Sequence, residues 1–159
     1  MTPQVLILCT ANSARSQMAE GLLRALAGPR LDVFSAGSKP SIVNPAAIAV
    51  MGERGIDISG QWSKSLDQYL NQPFDYVITV CDHAAETCPL FPGRAERIHW
   101  SFPDPAAVDD PQARLEAFRQ QMPDLLMLIA GGMRAGSGLG QALAQAAGEV
   151  GLPAKQELG

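Results

Sequence analysis

A cysteine placed between a strand and a helix constrains this chain more than any other feature. Val5 to Leu8 is an apolar run of the kind that forms a buried strand. From Ser16 to Leu26, apolar Met18, Ala19, Leu22, Leu23 and Leu26 recur at three- and four-residue steps, the period of a helix. Between the two stand Cys9, five residues, then Arg15 and Ser16. Such a loop makes an anion site, because the first amides of a helix have no intrahelical acceptor and the helix dipole favours negative charge there. Thr10, Ala11, Asn12, Ser13 and Ala14 supply enough backbone to curl around one tetrahedral oxyanion. Arg15 can close the ring, its planar fork taking two oxygens at once, and Asn12 tolerates the left-handed backbone such a curl requires. Ser16 stands where its hydroxyl could reach the Cys9 sulfur. The same field favours thiolate over thiol, so Cys9 is expected to have a lowered pKa and to act as a nucleophile. The bland alternative is an inert core cysteine ending a strand.

The remaining chain alternates strand and helix patterns. Gly28 and Pro29 stop the first helix, and Leu31, Val33 and Phe34 lead as a second strand into Ser35-Ala36-Gly37. Pro45 opens a second helix that Gly55 ends, and Lys64 to Leu70 is a short helix at best. Phe74 to Val80 is a nearly continuous β-branched and aromatic run, suited to a strand covered on both faces, and it ends at Cys81. Arg97 to Trp100 is a weaker fourth strand. Helix resumes near Pro111, with Leu115, Phe118, Met122, Leu125, Leu126 and Ile129 apolar, and Pro123 is expected to kink or divide it. Leu139 to Val150 is a weak further helical pattern in a Gly- and Ala-rich tail. This order predicts a three-layer α/β fold, a four-stranded parallel sheet with helices on both faces, and ligands at the C-terminal strand ends. Cys9, Ser35 and Cys81 would lie there, Ser35 being equally readable as an ordinary turn serine.

Length and charge bound the functions. A chain of 159 residues is expected to form a single catalytic domain, 1–159, with its core at about 4–130 and a C-terminal extension from about 131 to 159. With 12 Lys+Arg against 16 Asp+Glu there is no basic footprint for nucleic acid, so any anion must be held locally. No apolar run approaches the roughly 20 residues of a membrane span, and no basic segment precedes a hydrophobic one at the N-terminus. A cytoplasmic monomer with no membrane contact is expected. Three cysteines are too few for a secreted disulfide scaffold and favour redox or nucleophilic use.

The Cys9-x5-Arg15-Ser16 loop resembles that of the low-molecular-weight tyrosine phosphatases and of the arsenate reductases similar to them. The segment CDHAAETC, from Cys81 to Cys88, bears on which of the two is closer. Phosphatases of this kind need one nucleophilic cysteine, whereas arsenate reduction needs two electrons, which thiols supply by ending as a disulfide. The resemblance is therefore to the thioredoxin-coupled arsenate reductases, over most of the chain to about Ala130. It implies that Cys9 attacks arsenic while Arg15 and the loop amides hold the oxyanion, and that Asp104 protonates the departing oxygen. It further implies that Cys81 attacks Cys9, releasing arsenite, and that Cys88 then attacks Cys81. A short helix at Ala84, Ala85 and Glu86 would unwind for that step. Thioredoxin would reduce the final disulfide, with glutaredoxin and glutathione as the alternative should Cys88 be dispensable. No organic cofactor is implied.

Competing readings stand beside this one. Cys81 and Cys88 are readable as packing residues, Asp104 between two prolines as a turn residue, and His83 as a surface histidine. Zinc suits the Cys81-x6-Cys88 spacing poorly. A phosphotyrosine or small-ester phosphatase would use Cys9, Arg15 and Asp104 alike, and a non-catalytic oxyanion sensor would need only the loop. Two departures from the reductases are Ala14, where many members have a cysteine, and the longer tail. Some members also bind potassium through an Asn, a Ser, a Glu and an Asp. Asn12, Ser35 and Glu20 match, but Lys64 stands at the acidic position, where its ammonium would replace the ion or point to solvent.

Overall fold

The computed structural model describes residues 2–93, 95–99 and 103–134. The proposed helix at Leu139 to Val150 lies outside them. Four strands form one sheet: β1 (Gln4–Cys9), β2 (Asp32–Gly37), β3 (Tyr76–Thr79) and β4 (Glu96–His99). The order is β2-β1-β3-β4 and every pairing is parallel. Helices α1 (Arg15–Ala27), α2 (Pro45–Glu53), α3 (Asp82–Thr87) and α4 (Pro111–Arg134) link and cover it. The expected doubly covered parallel α/β fold is what the chain forms.

The inner strands are buried over most of the stretches predicted apolar. Val5 to Cys9 and Val77 to Thr79 are all buried, and α1 adds Met18, Leu22, Leu23 and Leu26 to the same core. Phe34, Tyr69, Phe74 and Phe91 meet edge-on or tilted, with centroids 5.5–6.1 Å apart. β4 is different: it is an edge strand whose residues are mostly exposed. Helix α2 begins where its sequence says it should, with Pro45 in the first turn and the Asn44 side chain accepting from the Ala46 amide at 2.9 Å.

The expectation that Pro123 would divide the last helix is corrected here. Helix α4 runs from Pro111 to Arg134 without dividing at Pro123. Proline forfeits one bond to the Arg119 carbonyl, but Phe118 on the preceding turn is fully buried, and α4 packs on α2 and α1. That packing keeps the helix going through the defect.

Register places the site. Leu8 pairs with Thr79 and the Val80 amide donates to the Leu8 carbonyl at 3.0 Å, which extends β3 and sets Cys81 beside the end of β1. Cys9 pairs with Gly37, so the ends of β1, β2 and β3 converge on one edge of the sheet. A Cβ on Gly37 would collide with the Thr10 carbonyl and stand 2.9 Å from the Asn12 amide; only glycine lets the loop after β1 pass this close.

Candidate active site

The loop from Thr10 to Ala14 is held from outside. Carbonyls of Thr10, Ala11 and Ser13 accept from the amides of Lys39 (2.8 Å), Ser41 (3.2 Å) and Asn44 (2.8 Å), and Ser63 Oγ also donates to the Ala11 carbonyl at 2.9 Å. Among the described residues no carbonyl takes the amides of Ala11, Asn12, Ser13 or Ala14, which are left for the loop's centre. Helix α1 adds a bare N-terminus: Ala14 caps it with no side-chain bond, and its first turn carries no acidic residue. Amide donors and a helix dipole without a built-in anion suit an incoming oxyanion.

Asn12 is the hub of this cradle. It is fully buried and has φ 47°, the left-handed backbone its residue type allows. Its Nδ2 donates to Ser16 Oγ at 2.8 Å and to Ser35 Oγ at 2.9 Å, while its Oδ1 accepts from Gln17 Nε2 and the Lys64 amide. Ser35 is thus part of the loop's support rather than an ordinary turn residue. Ser16 is likewise a brace; the expected contact with the Cys9 sulfur is absent from the hydrogen bonds of the described residues. Sequence reasoning missed Gln17 and Gln61, which clasp each other at 2.7 Å and tie Asn12 to the Trp62 carbonyl. An amide on the otherwise apolar inner face of α1 was the available signal.

The three cysteines are all free thiols. Cys9 and Cys81 stand close enough at the strand ends for each to bear on the other's ionisation. Cys81 is also the N-cap of α3: its Sγ accepts from the Ala84 amide at 3.4 Å and lies 3.4 Å from Thr10 Oγ1. Burial by itself would push the Cys81 thiol up, but the Thr10 hydroxyl, the Ala84 amide, Arg15 and Cys9 outweigh it and hold Cys81 below the ordinary range. For Cys9 the balance reverses. Burial raises it, Arg15 opposes without overcoming, and the neighbouring Cys81 charge adds to the rise. Against the expectation of a lowered Cys9 pKa, burial holds that thiol up, while the donors around Cys81 hold its thiol down. Cys88 ends α3, half-buried, and its thiol is raised by burial against the pull of Arg97. Leu8, Cys9, Ala84 and Cys88 border one small void of about 10 Å³.

Arg15 opens α1 with its side chain 11% exposed, Nη1 3.5 Å from the Val80 carbonyl and Nη2 3.8 Å from Asp104 Oδ2. Asp104 arrives on the loop after β4, and its Oδ1 accepts from the Ala106 amide at 3.0 Å. It is thus a turn residue and a carboxyl facing the anion site at once. Gln121, buried on α4 and unnoticed in the sequence, donates to the Pro103 carbonyl at 2.6 Å and so steadies that loop. His83 is exposed on α3, as read. Among the described residues no group of His, Cys, Asp and Glu side chains could hold a metal ion.

Lys64 is not a surface lysine. It is 5% exposed, with Nζ 2.8 Å from the Trp62 carbonyl, 3.6 Å from Glu20 Oε1 and 5.1 Å from the Trp62 ring centroid. Burial lowers its pKa while Glu20 pulls it back. The ammonium therefore stands between Glu20 and the Asn12 cradle. A cavity of about 710 Å³ opens beyond it, bordered by Glu20, Arg24, Trp62 and Tyr69, and none of the cysteines lines it.

Comparison with known proteins agrees with this geometry. The family model of low molecular weight phosphotyrosine protein phosphatase matches residues 4–127. An arsenate reductase of Halalkalibacterium halodurans is 50% identical over 105 residues, 66% of this chain and 76% of that one. In fold, a thioredoxin-dependent arsenate reductase of Corynebacterium glutamicum matches with TM-score 0.59 and 34% identity over 78% of this chain; the match spans 60% of that longer protein. A low molecular weight protein tyrosine phosphatase from T. tengcongensis matches with TM-score 0.66 and 26% identity, covering 91% of this chain and 99% of its own. No helix among the described residues is long and apolar enough to cross a membrane.

Proposed function

This chain belongs to the low molecular weight phosphotyrosine protein phosphatase family and is one of its arsenate reductases, and from that premise we propose that Cys9, Cys81 and Cys88 pass the two electrons in turn. The observation that carries this reading is the closeness of Cys9 and Cys81 at the ends of neighbouring strands, near enough to shift each other's ionisation, with Cys88 bordering the same small void as Cys9. A phosphatase has no use for that second thiol.

Arsenate enters the loop, its oxygens on the free amides and the Arg15 fork. Cys9 hands its proton to Cys81 and attacks arsenic as the thiolate. An S–As bond forms as one arsenic–oxygen bond breaks, and Asp104 gives the departing hydroxide its proton. Cys81, deprotonated again with help from Thr10 and Arg15, attacks the Cys9 sulfur. The S–As electron pair stays on arsenic, arsenite leaves, and a Cys9–Cys81 disulfide remains. Cys88 thiolate then attacks Cys81, so that Cys81–Cys88 forms and Cys9 leaves as thiolate. A thioredoxin-type dithiol restores the enzyme. Such a route requires a reducing setting.

Steady-state arsenate reduction with thioredoxin, thioredoxin reductase and NADPH tests this. Wild type should turn over, whereas Cys88→Ser should stop after one equivalent of arsenite with Cys9–Cys81 trapped. No turnover in wild type, with brisk hydrolysis of a phosphate ester, would instead make this a phosphatase.

A further inference from the structure

The relay requires Cys88 to reach Cys81, yet the two cap opposite ends of α3. Seven helical steps of about 1.5 Å separate their Cα atoms by roughly 10 Å. A disulfide needs about 7 Å or less. The segment must therefore release before the second disulfide can close.

Two side chains of the edge strand hold that segment at its ends. His99 Nε2 is 3.0 Å from Asp82 Oδ1, at the first residue of α3, while its Nδ1 is 2.8 Å from Thr79 Oγ1 on β3. The ring thus ties the start of α3 to two strands at once. Arg97, two residues earlier and so on the same face of β4, donates from Nη2 to the Pro89 carbonyl at 2.7 Å, just past Cys88. Between these ties lies a cavity of about 150 Å³ bordered by Val77, Ala85, Cys88 and Ile98, room into which the loosened segment can repack. Asp82 is 78% exposed and His99 37%, so each tie is weak enough to break during turnover.

Building on the relay proposed above, we infer that Arg97 and His99 are positioning residues that clamp the redox segment, and that opening of this clamp sets the rate at which Cys88 attacks Cys81. In that step the Cys81–Cys88 bond forms as Cys9–Cys81 breaks. Cys9 leaves with the electron pair, the Cys88 proton passes to solvent, and no electrons enter or leave the protein. The first two steps, on Cys9 and arsenic, do not require the clamp to open.

Single-turnover chemistry separates the cases. Reduced full-length protein is mixed with one equivalent of arsenate, quenched with an alkylating agent at intervals, and its disulfides mapped by mass spectrometry. His99 is the residue to change, because Arg97 also lies beside the Cys88 thiol and its loss would mix two effects. His99→Ala is expected to leave formation of Cys9–Cys81 unchanged and to speed its conversion to Cys81–Cys88 by about fivefold, the equivalent of one modest hydrogen bond. His99→Gln, which can still donate to Asp82, should restore the wild-type rate. Should His99→Ala misfold, Asp82→Ser breaks the same tie from the helix side and should give the same acceleration. Hydrogen exchange adds a readout without arsenate: amides of 83–88 should exchange faster in either variant while those of β1 hold. Equal slowing of both disulfides, or an unchanged second step in both variants, overturns the clamp alone. A wild type that forms Cys9–Cys81 but never Cys81–Cys88 overturns the clamp and the relay together.

Discussion

Two buried thiols stand close together, and the groups around each shift their ionisation in opposite directions. Thr10 Oγ1 and the Ala84 amide both serve Cys81, which is why its thiol is held down while burial raises that of Cys9. In a pH series of alkylation resolved by mass spectrometry, the Cys81 midpoint should fall below that of an ordinary thiol and the Cys9 midpoint above it. Because the Thr10 bond favours the charged form, Thr10→Val should move the Cys81 midpoint upward by somewhat less than one pH unit, the equivalent of about 1 kcal/mol. A Cys9 midpoint lower than that of Cys81 would refute this ordering. Lys64 belongs to the same scale. Its ammonium already neutralises Glu20, so arsenate reduction should be equal in sodium and potassium salts; strong, specific activation by potassium would contradict this. Removing it as Lys64→Ala leaves the buried Glu20 carboxylate to the more exposed Arg24, also 3.6 Å away, and should cost about 2 kcal/mol in denaturant unfolding. The sequence shows Lys64 at a position where the resemblance implies an acid, but not its burial, which depends on the pairing of Gly37 with the 64–65 segment.

Elements were legible where period and caps agreed. β1, α1 and α2 follow from their apolar spacing and from Asn44-Pro45, and the brief helix between Cys81 and Cys88 follows from its alanines. Helix α4 was misjudged because a local cost at Pro123 was weighed without the packing that offsets it, which no window of sequence displays. The support of Asp104 was invisible for a similar reason: Gln121 is 17 positions away and meets the loop only because α4 crosses beneath it. Gln121→Leu keeps the volume but frees the Pro103 carbonyl. It should lower kcat for arsenite release by about tenfold, by letting the acid wander from Arg15, while KM changes little. Equal losses in kcat and in thermal stability would show Gln121 to be a fold residue only.

At the scale of the whole molecule, three parallel strand ends, a bare helix N-terminus and Arg15 all aim positive or donor groups at one small volume. Parallel order makes this convergence predictable from the alternation of strands and helices, since every such end faces the same edge. The outer bracing is not predictable from alternation. Lys39, Ser41, Asn44 and Ser63 take the loop's carbonyls from segments that carry no periodic signal, and their spacing makes sense only once Gly37 is seen to let the loop approach. Because that bracing occupies the loop's carbonyls and leaves its amides without a carbonyl partner among the described residues, an oxyanion can accept from them. Phosphate, which fills the same shape without being reduced, should therefore stabilise the fold by mass action, by about 2.7 kcal/mol at a hundred times its Kd. For a chain of this size that is a rise in Tm of roughly 5 to 10 °C. Arg15→Met should remove most of the rise and Cys88→Ser none of it, since Cys88 lies off the loop. The same rise with chloride at matched ionic strength would mean that general screening, and not the cradle, is responsible.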